Sequence, residues 1–151
     1  MKKVVVDSCV FVKLFLDEED YQQARSFIHR VAEQNATILV PSVFTYEVYY
    51  ISQKYGVDLD FIDRLITRHQ DYNMKEIGLN EEIVGKAKEI IQKTSHPKSG
   101  FPSFYDASYH ALAILNDCDF VTADGRHYEK TKGLGNIKLL ADIEPKEILD
   151  E

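Results

Sequence analysis

A chain of 151 residues, 44% hydrophobic and 28% charged, has the size and composition of one globular domain with a real core, and it reads as a single unit over residues 1–151. Its net charge of −7 argues against a generic nucleic-acid binder, which shows a basic face, but leaves room for an enzyme whose acids are neutralised by cations. The apolar run near the start is short and broken by Lys13, well under the ~20 residues of a membrane span, so no membrane segment and a cytoplasmic location are expected.

The β-branched run Lys3 to Val6, closed by Asp7, predicts a buried strand. Val10 to Leu16 reads as a short apolar helix leading to the acidic turn Asp17 to Asp20. Tyr21, Ala24, Phe27, Ile28 and Val31 recur at helical spacing, and Thr37 to Val40 predicts a second strand. Pro41 and Ser42 stop that strand, with Ser42 as the expected cap of a helix whose stripe is Val43, Tyr46, Glu47 and Tyr50. Asp58 caps a further helix with Phe61, Ile62, Leu65 and Ile66 inside, and Tyr72 to Ile77 follows as a weaker strand. Asn80 caps the next helix, which turns Ile83, Val84, Ala87, Ile90 and Ile91 inward.

Thr94 to Pro102 is the clearest loop. Ser103 then caps a helix carrying Asp106, Tyr109, His110 and Ala113. Phe120-Val121 is a strand core, Asp124-Gly125 turns into a small helix, and Ile137 to Leu140 is the last strand. The tail beyond Asp142 offers Ile148 and Leu149 as docking points. Strands alternating with helices predict a three-layer α/β/α domain with a mainly parallel sheet of about five strands.

Four acids stand out. In a parallel sheet the carboxyl ends of the strands share one edge, where ligands bind. Asp7 and Asp124 each follow a strand, and helix-borne Glu47 and Asp106 would complete a cluster. Crowded carboxylates need protons or cations, and a hard divalent ion with oxygen ligands is the natural answer, which points to an enzyme acting on phosphate. Each acid also has a local structural reading. Asp7 and Asp124 suit helix caps, Asp106 suits a capping box with Ser103, and Glu47 suits an exposed helical position. Glu47 resists that reading most, because Val43, Tyr46, Val48, Tyr49, Tyr50 and Ile51 surround it and an isolated buried charge is costly.

Other chemistries lack their signatures. The five histidines show no paired zinc spacing, and there is no Gly-rich phosphate loop and no Gly-x-Ser-x-Gly elbow. Cys9 and Cys118 are far apart in apolar surroundings and read as buried free thiols. His110, one turn after Asp106, reads as a packed or surface histidine or as a residue facing the same cleft.

Together, Val4-Val5-Val6-Asp7-Ser8-Cys9-Val10, Pro41-Ser42 with Glu47-Val48, Phe104-Tyr105-Asp106-Ala107 through Ala113, and Phe120-Val121-Thr122-Ala123-Asp124 resemble the PIN domain, most nearly the small ribonucleases of the VapC toxin type, over about residues 3–140. The resemblance implies that Asp7, Glu47, Asp106 and Asp124 bind Mg²⁺ or Mn²⁺ and are the catalytic set. It also implies a single-stranded RNA substrate cut to 5′-phosphate and 3′-hydroxyl ends, a homodimer and, in toxin members, an antitoxin partner that blocks the cleft. One departure stands out: the family usually has Ser or Asn two places after the first Asp, where this chain has Cys9. A thiol hydrogen-bonds weakly, so either Ser8 substitutes as the support for the acids or the site is held less tightly.

On that reading water attacks the phosphodiester and the cation bears the charge that develops. Lys98, Ser99, Arg126 and Lys130 are the expected phosphate contacts. Phe101, Phe104 and Tyr105 are expected to stack on unpaired bases, with the helix core as the alternative for Phe104 and Tyr105, and the Tyr46, Tyr49, Tyr50 and Tyr55 group is a candidate dimer surface. Two rivals come from other classes. One is a non-catalytic or housekeeping PIN-like module for RNA binding or assembly. The other is a phosphatase with an aspartate nucleophile, which needs a second Asp where Cys9 stands.

Overall fold

The computed structural model describes residues 2–98 and 100–143. Five strands form one sheet: β1 (Lys3–Val6), β2 (Thr37–Pro41), β3 (Met74–Ile77), β4 (Phe120–Thr122) and β5 (Ile137–Leu139). Their order is β3-β2-β1-β4-β5 and every neighbouring pair is parallel, so the expected mainly parallel sheet is wholly parallel among the described residues. Val4, Val5, Val6, Ile38, Val40, Phe120 and Val121 are all buried, as near-continuous apolar strands covered on both faces must be.

Seven helices occur among the described residues: α1 (Ser8–Phe11), α2 (Tyr21–Glu33), α3 (Val43–Lys54), α4 (Leu59–Tyr72), α5 (Glu81–Thr94), α6 (Phe104–Leu115) and α7 (Gly125–Thr131). α6 packs on β1, β2 and β4 and is backed by α5, while α2 and α3 pack on β2 and α4 on β3. The result is the expected α/β/α sandwich. No helix among the described residues is long and apolar enough to cross a membrane.

The topology positions the site. The chain leaves β1 for β2 and β3 on one side, then returns to place β4 on the other side of β1. The sheet order therefore reverses between β1 and β4, and their carboxyl ends open the crevice where ligands of open α/β sheets bind. The register puts Val6 beside Val121, so Asp7 and Thr122 emerge together at that edge.

Several local expectations needed correction. Ser42 makes no capping hydrogen bond, because its backbone is already helical (φ −55°, ψ −31°) and α3 winds straight out of β2. The buried stripe of α3 is Phe44, Val48 and Ser52; Tyr46 and Tyr50 face outward, at 78% and 66% exposure. The tyrosines looked apolar to periodicity, but the phenylalanine and valine one register away fill the core. Phe61 is likewise exposed, leaving Ile62 and Ile66 as the inner residues of α4. α4 also runs through Tyr72, so β3 starts at Met74 after Asn73 closes the helix onto His69 O. The first helix begins at Ser8 rather than Val10 and tightens into a 3₁₀ turn over Val12–Leu14. The 95–102 loop holds a short antiparallel bridge between His96 and Gly100, whose φ of 77° requires a residue without a side chain. Cys9 and Cys118 are free, as expected, but half-buried. Ile148, Leu149 and Ser99 lie outside the described residues.

Candidate active site

Asp7 sits where β1 ends, 5% exposed, and does two jobs. Its Oδ1 caps α1 by accepting the Cys9 N–H at 3.4 Å, and the Ser8 hydroxyl also donates to it at 3.3 Å. Its Oδ2 accepts from Thr122 Oγ1 at 2.8 Å. Asp124, just past β4, caps α7 through Oδ1, which accepts from Arg126 N at 3.0 Å and His127 N at 3.4 Å. Its own N–H donates to Thr122 Oγ1 at 3.0 Å, so one threonine ties the first acid to the last. Asp106 lies in the first turn of α6, with its N–H on Ser103 Oγ at 3.0 Å. The capping roles are therefore real for Asp7 and Asp124, whose carboxyls are tied to the backbone, while Asp106 takes part in the Ser103 cap through its N–H alone.

Electrostatics link the four. Burial pushes the Asp7 carboxyl up to about 7, opposed by the Thr122 hydroxyl and reinforced by the charges of Asp106 and Glu47. Burial also lifts Asp106 to about 6, with the charges of Asp124 and Glu47 adding to it and Ser103 and Lys130 opposing. Glu47 is raised by burial and relieved by hydrogen bonds from Tyr109 and Ser8. Unlike the buried charge expected on an apolar helix, it is half-exposed, at the border between the covered and open faces of α3.

Two residues that sequence reasoning did not place here are central. Tyr109, one turn after Asp106 on α6, donates its phenol to Glu47 Oε1 at 2.6 Å. Thr122, two residues before Asp124, joins Asp7 and Asp124 as described. The usable signals were the i, i+3 spacing on one helix and a polar residue at the end of a buried strand. Cys9 Sγ accepts the Ala123 N–H at 3.4 Å and lies 3.7 Å from Thr122 Oγ1. Burial raises that thiol well above its usual range, so it is no nucleophile.

The expected phosphate contacts divide. Arg126 and Lys130 line an open concavity of about 1050 Å³ together with Ala123, Asp124, Gly125 and Glu129. Lys98 is exposed on the loop after α5 and does not line it. Phe101, Phe104 and Tyr105 are exposed rather than core. His110 is buried beside His127, and its Nε2 pairs with Gly135 O at 2.8 Å, so it does not face the cleft.

Among the described residues, no three His, Cys, Asp or Glu side chains close tightly enough to grip one ion by themselves. The donor chemistry nevertheless fits a hard cation, because the set is all oxygen and its members destabilise one another's charges. An open set suits Mg²⁺, which keeps several waters and binds through one or two carboxylates plus phosphate.

A family model described as the PIN domain matches residues 4–133. No curated protein matches the chain significantly. Among solved structures, VapBC2 from Rickettsia felis, bound to a DNA fragment from its promoter, superposes with a TM-score of 0.65 at 16% identity over 91% of this chain and 96% of that one. VapC20 from Mycobacterium tuberculosis, a toxin that cleaves the sarcin-ricin loop, gives 0.60 at 13% identity over 81% and 90%. A toxin–antitoxin complex from Klebsiella pneumoniae gives 0.60 at 18% identity over 96% and 99%. At such identities the likeness is one of fold.

Proposed function

The chain belongs to the PIN domain family, and from that premise we propose that it is a Mg²⁺- or Mn²⁺-dependent endoribonuclease that hydrolyses phosphodiester bonds of single-stranded RNA. The observation that carries this reading is Asp7: a carboxyl almost wholly buried at the sheet's switch point, pushed to about 7 by burial and then by two acidic neighbours. A fold accepts such a group at neutral pH when its ligand supplies positive charge.

Asp7, Glu47, Asp106 and Asp124 would hold the cation. When bound, that cation supplies charge for phosphate oxygens and acidity for the attacking water. The chain's own residues do the rest. Thr122 and Ser8 fix Asp7, and Tyr109 fixes Glu47. Arg126 and Lys130, on the concavity beside Asp124, take the flanking phosphates. Exposed Phe104 and Tyr105, next to Asp106 in sequence, offer ring faces for unpaired bases. Water attacks phosphorus as the P–O3′ bond breaks, and the departing 3′ oxygen takes up a proton, which gives 5′-phosphate and 3′-hydroxyl ends.

The biological setting is proposed on the company the fold keeps: a toxin that works in the cytoplasm, restrained by a small antitoxin, as in the Klebsiella pneumoniae complex. A homodimer fits the outward tyrosines of α3, Tyr46 and Tyr50. The test is incubation of metal-free protein with single-stranded RNA, with and without Mn²⁺. Cleavage that needs Mn²⁺ and vanishes in Asp106→Asn supports the nuclease. Tight RNA binding without cleavage points to the non-catalytic assembly module instead.

A further inference from the structure

Tyr109 is fully buried, and its ring stacks on Phe120 of β4 with centroids 5.3 Å apart and planes 14° apart. The core thus fixes the ring, while the hydroxyl reaches Glu47 Oε1 at 2.6 Å across 62 residues of sequence. The Ser8 hydroxyl, which donates to Asp7 Oδ1 at 3.3 Å, lies beside this pair and lowers the titration of both. A phenol carries one proton and can still accept. Given to Glu47, that proton fixes the phenol as donor and the carboxylate as acceptor.

Glu47 stands on a half-exposed border of α3, where a long acid is free to rotate unless something holds it. A carboxylate has about four lone-pair sites. Tyr109 occupies one and leaves the others for a ligand. A core tyrosine needs only some acceptor; this one uses a carboxylate that also feels Asp7 and Asp106. On the nuclease reading above, we infer that Tyr109 is a positioning residue for Glu47, its core-fixed hydroxyl holding that carboxylate in the cleft ready for the cation. Partners that orient a ligand through its second oxygen or nitrogen typically change metal affinity 10–100-fold when removed.

Tyr109→Phe deletes one oxygen and keeps the ring stack, so it separates this role from simple core filling. Mn²⁺ is titrated into metal-free wild type, Tyr109→Phe, Glu47→Gln and the double variant, with the melting temperature read at each concentration. Tyr109→Phe should need about 10–100-fold more Mn²⁺ for the half-maximal shift. The double variant should need no more than Glu47→Gln alone, because the hydroxyl acts only through that carboxylate. A Tyr109→Phe midpoint equal to wild type overturns the role, and so does a full further loss in the Glu47→Gln background. A wild type indifferent to Mn²⁺ overturns the nuclease reading together with this role. A responsive wild type beside an equally responsive Tyr109→Phe overturns this role alone.

Discussion

Thr122 Oγ1 donates to Asp7 Oδ2 at 2.8 Å across the β1–β4 pair, and both residues are buried. That bond opposes burial by drawing the Asp7 carboxyl down. Thr122→Val keeps the shape and removes the donor, so Asp7 should be pushed further up. The folded state then loses stability where Asp7 is ionised. The expected loss is about 1–3 kcal/mol at pH 8 and less at pH 4, where the folded-state carboxyl is protonated with or without the Thr122 hydroxyl. Urea unfolding of both proteins at the two pH values measures it.

The two raised carboxyls set a pH dependence for the metal-free protein. Asp7 rises from 3.8 to about 7 and Asp106 to about 6, in each case through burial first. The folded chain binds these protons more tightly than the unfolded chain. Their stabilising effect is therefore full below about pH 4 and is lost as pH climbs through 6 and 7. For Asp7, a little over three pH units at ~1.4 kcal/mol each amounts to about 4 kcal/mol. The difference in unfolding free energy between wild type and Asp7→Asn should accordingly grow in the variant's favour from pH 5 to pH 8. A difference that stays constant contradicts the burial-driven shift.

Asp106→Asn removes one charge from the group while leaving the α6 backbone cap on Ser103 in place. RNA cleavage with Mn²⁺ should fall by about 100-fold or more. The circular dichroism spectrum should match wild type. Metal-free melting at pH 8 should be unchanged or higher, since a repulsive charge beside Asp124 and Glu47 is gone. Cleavage and melting assays on one preparation test all three.

The Cys9 thiol accepts a backbone N–H from Ala123 and lies against the Thr122 hydroxyl. Cys9→Ser should therefore leave kcat/KM for RNA at or above the wild-type value, because a hydroxyl makes the same contacts more strongly. In the wild type, iodoacetamide at pH 7.5 should label Cys9 far more slowly than free cysteine, its thiol being raised by burial. Mass spectrometry of the labelled peptide checks the second point.

The parts of the fold that were legible are those where one residue pattern has one outcome. A β-branched run ended by an aspartate made β1 and its acid readable, and Asp58, Asn80 and Ser103 cap their helices as expected. α3 was misread because tyrosine carries both an apolar ring and a polar tip. Tyr46 and Tyr50 count as apolar in a periodicity, yet they stand in solvent while Phe44 and Val48 are buried. The places of Asp7, Asp106 and Asp124 at element ends were legible, as was that of Glu47 within α3. What joins them was not: Thr122 and Tyr109 act through contacts 115 and 62 residues apart in sequence, which no local pattern encodes.

Whether Asp7, Glu47, Asp106 and Asp124 make one cation site is decided by Mn²⁺ paramagnetic resonance. Free Mn²⁺ gives a sharp six-line signal that is lost on binding, so titration into metal-free protein at pH 7.5 counts bound ions without RNA or turnover. Wild type should take up Mn²⁺ saturably, and uptake should be weakened in Asp7→Asn and Asp106→Asn alike, although the two acids sit on different elements. Undiminished free signal with wild type, or uptake that both variants retain in full, would contradict a shared site.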